Sequence, residues 1–148
     1  MDIKKGEETK LTSNHGTHNP IVAVDREYFL DVFSSTEIPN QIDLYSIKGK
    51  FMNTILKSEN PYKDYSMAKL EMISLKTHDG KYELYARMLK PADFDPKGKY
   101  PVVVYVYGGP HSQLVTDDWM GGARLWEYYM ANKGYILLTL DNRGTANR

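Results

Sequence analysis

The chain has 148 residues, with 19 Lys and Arg against 19 Asp and Glu, so its formal net charge is zero. Balanced charge provides no field that would attract nucleic acid or an anionic membrane. Cysteine is absent, which excludes disulfides, thiolate metal sites and a cysteine nucleophile. No window approaches the roughly 20 apolar residues of a membrane span. Length alone predicts one compact domain, but the pattern along the chain indicates two parts.

The first part consists of short β-like runs separated by turn signals, as in all-β modules. The runs comprise residues 2–4, 21–24, 28–35 and 43–47, with polar turns at residues 25–27 and 48–50. One blade of a β-propeller with part of its neighbour has this pattern, and so does a β-sandwich. Residues 53–67 mix apolar side chains with charges and a proline, so we predict a short helix and a linker there, with a domain boundary near Ser66.

A β-hairpin is predicted over residues 70–91. Two alternating runs flank Asp79 and Gly80, a residue pair that readily supplies the positive φ of a tight turn. His78 belongs to this turn, where a solvated histidine is far more usual than a catalytic one. A surface loop that contains two prolines follows at residues 91–96.

A strand–helix–strand unit is predicted for residues 102–140. Residues 102–106 and 135–140 are apolar on both faces, as central strands of a parallel sheet require. Within residues 125–133 the apolar side chains recur at helical spacing, and Gly134 after them is a natural C-cap. Such a unit is one right-handed crossover of an α/β sheet, and functional loops lie at the carboxyl ends of its strands.

The two loops at those strand ends carry unusual residues. The first, Tyr-Gly-Gly-Pro at residues 107–110, has glycines that let the backbone approach a ligand, although a plain turn with an aromatic plug explains it equally well. The second is Asp-Asn-Arg-Gly-Thr at residues 141–145. Ser112 follows His111 directly, but neighbouring loop residues cannot easily face one another as a catalytic pair. We interpret both as loop residues, with His111 a candidate to line the active-site cavity.

A His-x-x-His spacing occurs at His15 and His18, in the predicted β part. Two histidines at this spacing can ligate a metal ion, but a zinc site needs at least a third protein ligand, and none is indicated nearby. A structural or surface role is therefore the better prediction for both.

Four segments together resemble one peptidase family. KYPVVVYVYGGPHSQ and YILLTLDNRGTANR look like the opening of the hydrolase domain in the dipeptidyl peptidase IV branch of the prolyl oligopeptidase family. LTSNHGTHNP and YFLDVFSSTEIPNQIDLYSIKGK resemble the last propeller segment before that domain. The resemblance covers nearly the whole chain, and the VYGGP and DNRGT loops at this spacing are a fairly specific pair.

The resemblance implies an α/β fold with an all-β N-terminal part. Residues 1–65 would be the C-terminal portion of a β-propeller, and residues 66–148 would open an incomplete α/β-hydrolase sheet of a catalytic domain. In such enzymes the nucleophile lies in a G-x-S-x-G elbow, with the acid and histidine after it. The sequence contains no G-x-S-x-G, so we expect the 148-residue chain alone to be inactive.

The resemblance also implies roles for two residues. Tyr107 falls on the family's tyrosine whose hydroxyl helps to hold the oxyanion of the tetrahedral intermediate, a task that suits a neutral donor fixed in advance. Arg143 matches an arginine near the site but outside the triad, which could brace neighbouring loops through bidentate hydrogen bonds. The glutamate pair that grips the substrate's amino terminus in this branch has no counterpart here.

The implied parent is a serine exopeptidase that removes N-terminal dipeptides, with Pro or Ala at the penultimate position, through an acyl-enzyme and without a metal or organic cofactor. The family implies a homodimer acting on peptides, and its bacterial members are usually periplasmic or membrane-anchored. Two alternatives stay open: a non-catalytic β-rich binding module, and an acylaminoacyl peptidase or oligopeptidase of the same superfamily. An unpaired sheet edge and apolar faces lead us to expect self-association of the isolated chain.

Overall fold

The computed structural model describes residue 6 and residues 8–146, which form two four-stranded sheets. The strand predicted at residues 2–4 lies outside the described residues. The first sheet contains β1 (Thr17–Val22), β2 (Tyr28–Ser34), β3 (Gln41–Ser46) and β4 (Phe51–Lys57). The second contains β5 (Lys69–Lys76), β6 (Glu83–Lys90), β7 (Val102–Tyr105) and β8 (Ile136–Leu140). A 3-10 helix (Trp119–Gly122) and the α-helix α1 (Leu125–Asn132) lie between β7 and β8.

The first sheet is an antiparallel meander in the order β1, β2, β3, β4. β1 begins four residues earlier than predicted and pairs with β2 along its whole length. In β2, Phe29, Asp31 and Phe33 are buried at alternate positions, as one packed face of a strand requires. Four antiparallel strands joined by short turns are the arrangement that the predicted propeller blade needs.

The helix predicted within residues 53–67 is wrong. Residues 51–57 form β4, which pairs with β3 in antiparallel register, with two register shifts along the ladder. Thr54 and Ile55 are β-branched and favour a strand, and the Thr54 hydroxyl donates to buried Asp43 at 2.7 Å. Cross-strand pairing therefore outweighs the weak helical pattern. Residues 58–68 contain turns but no strand or α-helix, as expected of the predicted linker.

The second sheet has the order β5, β6, β8, β7, in which only β7 and β8 run parallel. The predicted hairpin is confirmed as β5 and β6, but its loop spans residues 77–82. Within this loop the positive φ falls on Gly80 alone, at 68°, and His78 is exposed. The Asp79 carboxylate closes the turn by accepting from the Thr77 hydroxyl at 2.5 Å and the Lys81 N–H at 3.1 Å.

The predicted strand–helix–strand unit is confirmed as β7, α1 and β8. β8 lies between β6 and β7, and its Leu137 is 2% exposed. The prediction of a central strand is wrong for β7, which forms an edge of this sheet and leaves Val102 and Val104 more than half exposed. Gly134 follows α1 with φ 92°, as expected of a glycine at a helix end. No helix in the described part of the chain is long and apolar enough to cross a membrane.

The core of the second sheet lies where α1 packs on β6 and β8. Its buried members are Ala68, Leu89, Tyr128, Ala131 and Leu137. The Tyr128 hydroxyl donates to the Met120 carbonyl at 3.3 Å. Desolvation raises the pKa of Tyr128 to about 12, because burial disfavours the phenolate. The Arg87 charge opposes this rise in pKa, and the Glu127 charge adds to it.

Burial of Tyr128 predicts a loss of stability at alkaline pH. Because its pKa rises from 10.0 to about 12 on folding, its protonated form contributes stability fully below pH 10, and this contribution is lost as the pH approaches 12. We expect the difference in melting temperature between the unsubstituted protein and Tyr128→Phe to fall steadily across this window. Tyr129→Phe, on the exposed side of α1, serves as the control. A difference that does not change with pH would contradict the prediction.

Candidate active site

The loops after β7 and β8 lie next to each other, as the sequence predicts for the carboxyl ends of parallel strands. Residues 108–110 and 142–144 line a shallow cleft between them. The His111 N–H donates to the Gly144 carbonyl at 3.0 Å, which joins the two loops directly. His111 has a φ of 61° and an exposed side chain, and it is not among the residues that line this cleft.

Tyr107 is the first residue of the Tyr-Gly-Gly-Pro loop, and it is 64% exposed. Its hydroxyl makes no hydrogen bond to any described residue, so it is available as a donor. A Cβ added at Gly109 would lie 2.5 Å from Cε1 of the Tyr107 ring, so only glycine leaves room for the ring in this position. Gly108 has a φ of 73°. Glycine is therefore favoured at the two positions for different reasons. The left-handed backbone favours it at Gly108, and the close contact with the aromatic ring favours it at Gly109.

Arg143 lies against the β5–β6 hairpin loop. Its guanidinium carbon is 5.3 Å from the centre of the Tyr82 ring, a distance typical of a cation–π contact. The pKa of Asp79, in the same loop, is lowered chiefly by the Thr77 hydroxyl, then by the Lys81 N–H, with the Arg143 charge a smaller cause. This arginine thus connects the loop after β8 with the hairpin loop.

A buried ion pair holds the connection between β7 and α1. Nη2 of Arg87, on β6, donates to both carboxylate oxygens of Glu127, on α1, at 3.1 and 2.9 Å. Nη1 of Arg87 donates to the carbonyls of Leu114 at 2.5 Å and Gly121 at 2.8 Å. The ion-paired side chains are 3% and 1% exposed. The sequence predictions missed this pair, because Arg87 and Glu127 lie 40 residues apart.

Asp141, directly after β8, is a second buried side chain that holds this connection and that the sequence predictions missed. Its carboxylate is buried and accepts hydrogen bonds from two consecutive backbone amides of the crossover connection. The Leu114 N–H lies 3.0 Å from Oδ1, and the Val115 N–H lies 3.0 Å from Oδ2. The carboxylate therefore holds the connection between β7 and α1 at Leu114 and Val115.

The two sheets meet at Asp117, in the connection between β7 and α1. The Asp117 carbonyl accepts from the Thr17 N–H at 3.0 Å, and its Oδ1 accepts from the Thr36 N–H at 3.2 Å. Nearby, the Trp119 N–H donates to the Ser34 hydroxyl at 3.2 Å. One connection in the second sheet therefore also anchors the strands of the first.

The two histidines of the His-x-x-His spacing have structural partners. Nδ1 of His18 lies 2.7 Å from buried Asp31, and its ring stacks on Phe33 with centroids 5.0 Å apart. Nδ1 of His15 lies 3.0 Å from Asp117. Among the described residues no group of three or more ligating side chains could hold a metal ion. Both histidines thus have partners within the fold, and a structural or surface role stays the prediction for them.

Comparison with known proteins gives consistent matches. No protein-family model matches the sequence. Over 99% of its length the chain is 31% identical to human dipeptidyl peptidase 8, of which it spans 17%. A solved structure of a candidate dipeptidyl aminopeptidase IV from Bacteroides ovatus matches 91% of the chain with 45% identity and a TM-score of 0.87. Porphyromonas gingivalis dipeptidyl peptidase 4 matches 95% with 34% identity and a TM-score of 0.86.

The chain spans only 19% and 20% of these two solved structures. Since each match covers more than nine-tenths of the chain, it includes both sheets. The predicted architecture, a piece of a β-propeller followed by a partial α/β sheet, is confirmed.

Because the ion pair is buried, we predict that two similar substitutions lower the free energy of unfolding by different amounts. Glu127→Gln leaves the Arg87 guanidinium buried without a counter-charge, which typically costs about 3–5 kcal/mol of folding free energy. Glu71→Gln is the matched control, because Glu71 pairs with Lys90 at 2.6 Å while 46% exposed, and such surface pairs contribute about 0–1 kcal/mol. Urea unfolding followed by tryptophan fluorescence measures both. Equal costs would contradict the prediction.

Proposed function

We propose, since this chain belongs to the dipeptidyl peptidase IV branch of the prolyl oligopeptidase family, that it forms part of a serine-type dipeptidyl peptidase. The proposed reaction removes N-terminal dipeptides, with Pro or Ala at the penultimate position, through an acyl-enzyme. The observation that carries this proposal is the Tyr-Gly-Gly-Pro loop, placed beside the Asp-Asn-Arg-Gly loop at the carboxyl ends of β7 and β8. No metal or organic cofactor enters the proposed chemistry.

The proposed domain boundary lies near Ser66. Residues 1–65 would close the propeller, and residues 66–148 would open the catalytic domain. In support, the first sheet ends at Lys57 and the second begins at Lys69, so no strand of either sheet crosses the boundary. The hydrogen bonds to Asp117 would then connect propeller and catalytic domain directly.

The proposed role of Tyr107 is donation to the oxyanion. When the serine hydroxyl adds to the scissile carbonyl, the carbonyl oxygen takes up the negative charge, and a donor already aimed at it needs no reorganisation. Three features support this role: an exposed hydroxyl, no competing hydrogen bond among the described residues, and a ring position that depends on Gly109. The backbone N–H that follows the nucleophile would be the second donor.

The proposed role of Arg143 is to brace the loops around the site. Its contact with Tyr82 supports this, because it connects the loop after β8 to the hairpin loop. A cation–π contact holds a guanidinium close to the ring, and a guanidinium can also brace loops through bidentate hydrogen bonds. We therefore assign Arg143 a structural role rather than a step in the chemistry.

Tyr107→Phe in the full-length protein tests the proposed function. We expect kcat on a Gly-Pro chromogenic substrate to fall by about 10²-fold or more, with little change in KM, because the lost donor acts on charge that develops only in the transition state. Tyr129→Phe, which alters an exposed hydroxyl on α1, should leave both constants unchanged. An unchanged kcat in Tyr107→Phe would contradict the assigned role.

Assays of the unsubstituted protein on the Gly-Pro substrate and on an N-acylated peptide separate the rival functions. Cleavage of acylated peptides in place of dipeptide release would favour an acylaminoacyl peptidase or oligopeptidase. Absence of any turnover, in a protein that melts cooperatively, would favour the non-catalytic module.

The 148-residue chain by itself is expected to give no turnover of the Gly-Pro substrate. Its sequence contains no G-x-S-x-G, and no serine side chain is hydrogen-bonded to a histidine among the described residues. A single oxyanion donor without a nucleophile and base cannot perform acyl transfer. The full-length protein, assayed at the same molar concentration, is the control. Measurable turnover by the purified 148-residue chain would contradict this proposal.

A further inference from the structure

The backbone of Leu114 is held on both sides by buried charges of opposite sign. Its N–H donates to the Asp141 carboxylate at 3.0 Å, and its carbonyl accepts from Arg87 at 2.5 Å. Val115 adds a second amide to the same carboxylate. Hydrogen bonds to ionised groups are shorter and about twice as strong as neutral ones, so Leu114 is a strong attachment point of the connection between β7 and α1.

The loop that carries Tyr107 depends on this attachment. Between Tyr105, the last residue of β7, and Leu114 the chain contains no strand or helix. Within that stretch, the His111 N–H donates to the Gly144 carbonyl at 3.0 Å. The contacts of His111 and of Leu114 therefore both lie on residues 141–144. Movement of Leu114 changes the span that the loop must bridge, and so moves the loop itself.

We infer that Asp141 is a positioning residue for the oxyanion donor, an inference that rests on the proposed function. Its carboxylate holds Leu114 and Val115, and thereby sets where the Tyr107 hydroxyl stands. Asp141 acts through Tyr107 and contacts neither the substrate nor the reacting atoms. A displaced donor weakens binding of the transition state but not of the ground-state substrate, so the effect appears in kcat rather than in KM.

A double-mutant cycle between Asp141 and Tyr107 in the full-length protein tests this inference. Asp141→Asn keeps the side-chain shape but removes the charge and places an N–H₂ group against one of the two backbone amides. We expect it to lower kcat on the Gly-Pro substrate by about 10- to 10²-fold, the range expected when a catalytic group is misplaced by up to about 1 Å, with KM within about twofold. In a Tyr107→Phe background the same substitution should cause little further loss, because its effect depends on that hydroxyl.

Asp95→Asn is the matched control. Asp95 also accepts a backbone N–H, from Lys97 at 2.9 Å, but it lies in the exposed loop before β7. Its substitution should leave kcat unchanged in both backgrounds. If Asp141→Asn does not yield folded protein, Asp141→Glu replaces it in the cycle, because it keeps the charge and both acceptor oxygens while displacing them by one methylene.

The outcomes separate this inference from the proposed function. Losses in kcat that multiply across the cycle, or a rise in KM with unchanged kcat, would overturn the positioning role while leaving the peptidase assignment intact. An unsubstituted protein without turnover would overturn the proposed function and the inference together. Non-additive losses in kcat, with Asp95→Asn silent, would establish Asp141 as a positioning residue.

Discussion

The ion pair between Arg87 and Glu127 is the constraint on which the second sheet and its connections depend. Burying two charges costs several kcal/mol for each ion unless they are paired and their remaining hydrogen-bonding groups are satisfied. Glu127 meets this requirement by accepting from Arg87 twice and from the Arg124 N–H at the start of α1. Arg87 meets most of it by donating to the carbonyls of Leu114 and Gly121, and only its Nε lacks a partner among the described residues. The ion pair therefore fixes the helix and the long connection at the same time.

That long connection, residues 106–124, joins three parts of the molecule that are distant in the sequence. It begins as the Tyr-Gly-Gly-Pro loop, passes over Asp141 at the end of β8, and then reaches the first sheet through Asp117. Because both ends and the middle are hydrogen-bonded, the connection cannot shift at one point without strain at another. A shift of the first sheet would therefore be transmitted through this connection to the Tyr107 loop.

Short-range patterns explain why much of the fold could be predicted from sequence. Alternation identified β2 and the β5–β6 hairpin, and apolar strands around a helical segment identified β7, α1 and β8. β4 was missed because its strand character comes from pairing with β3, and the Thr54 hydroxyl on Asp43 has no signature in the sequence. The supports of the site were missed for the same reason. Arg87 and Glu127 are 40 residues apart, and Leu114 and Asp141 are 27 apart, so only the folded sheet brings them together.

Tyr107 is exposed in this chain, and exposure determines what the chain contributes to the proposed reaction. A hydroxyl that donates to an oxyanion in water gains little, because water solvates the charge equally well, whereas the same donor is worth far more where water is excluded. In the proposed role, Gly109, Leu114 and Asp141 position the hydroxyl, but the described residues leave Tyr107 64% exposed. In the proposed enzyme the exclusion of water must therefore come from the substrate and from residues outside those described here. Position and environment of the proposed oxyanion donor are thus separable, and we expect substitutions at Asp141 to change its position without changing its environment.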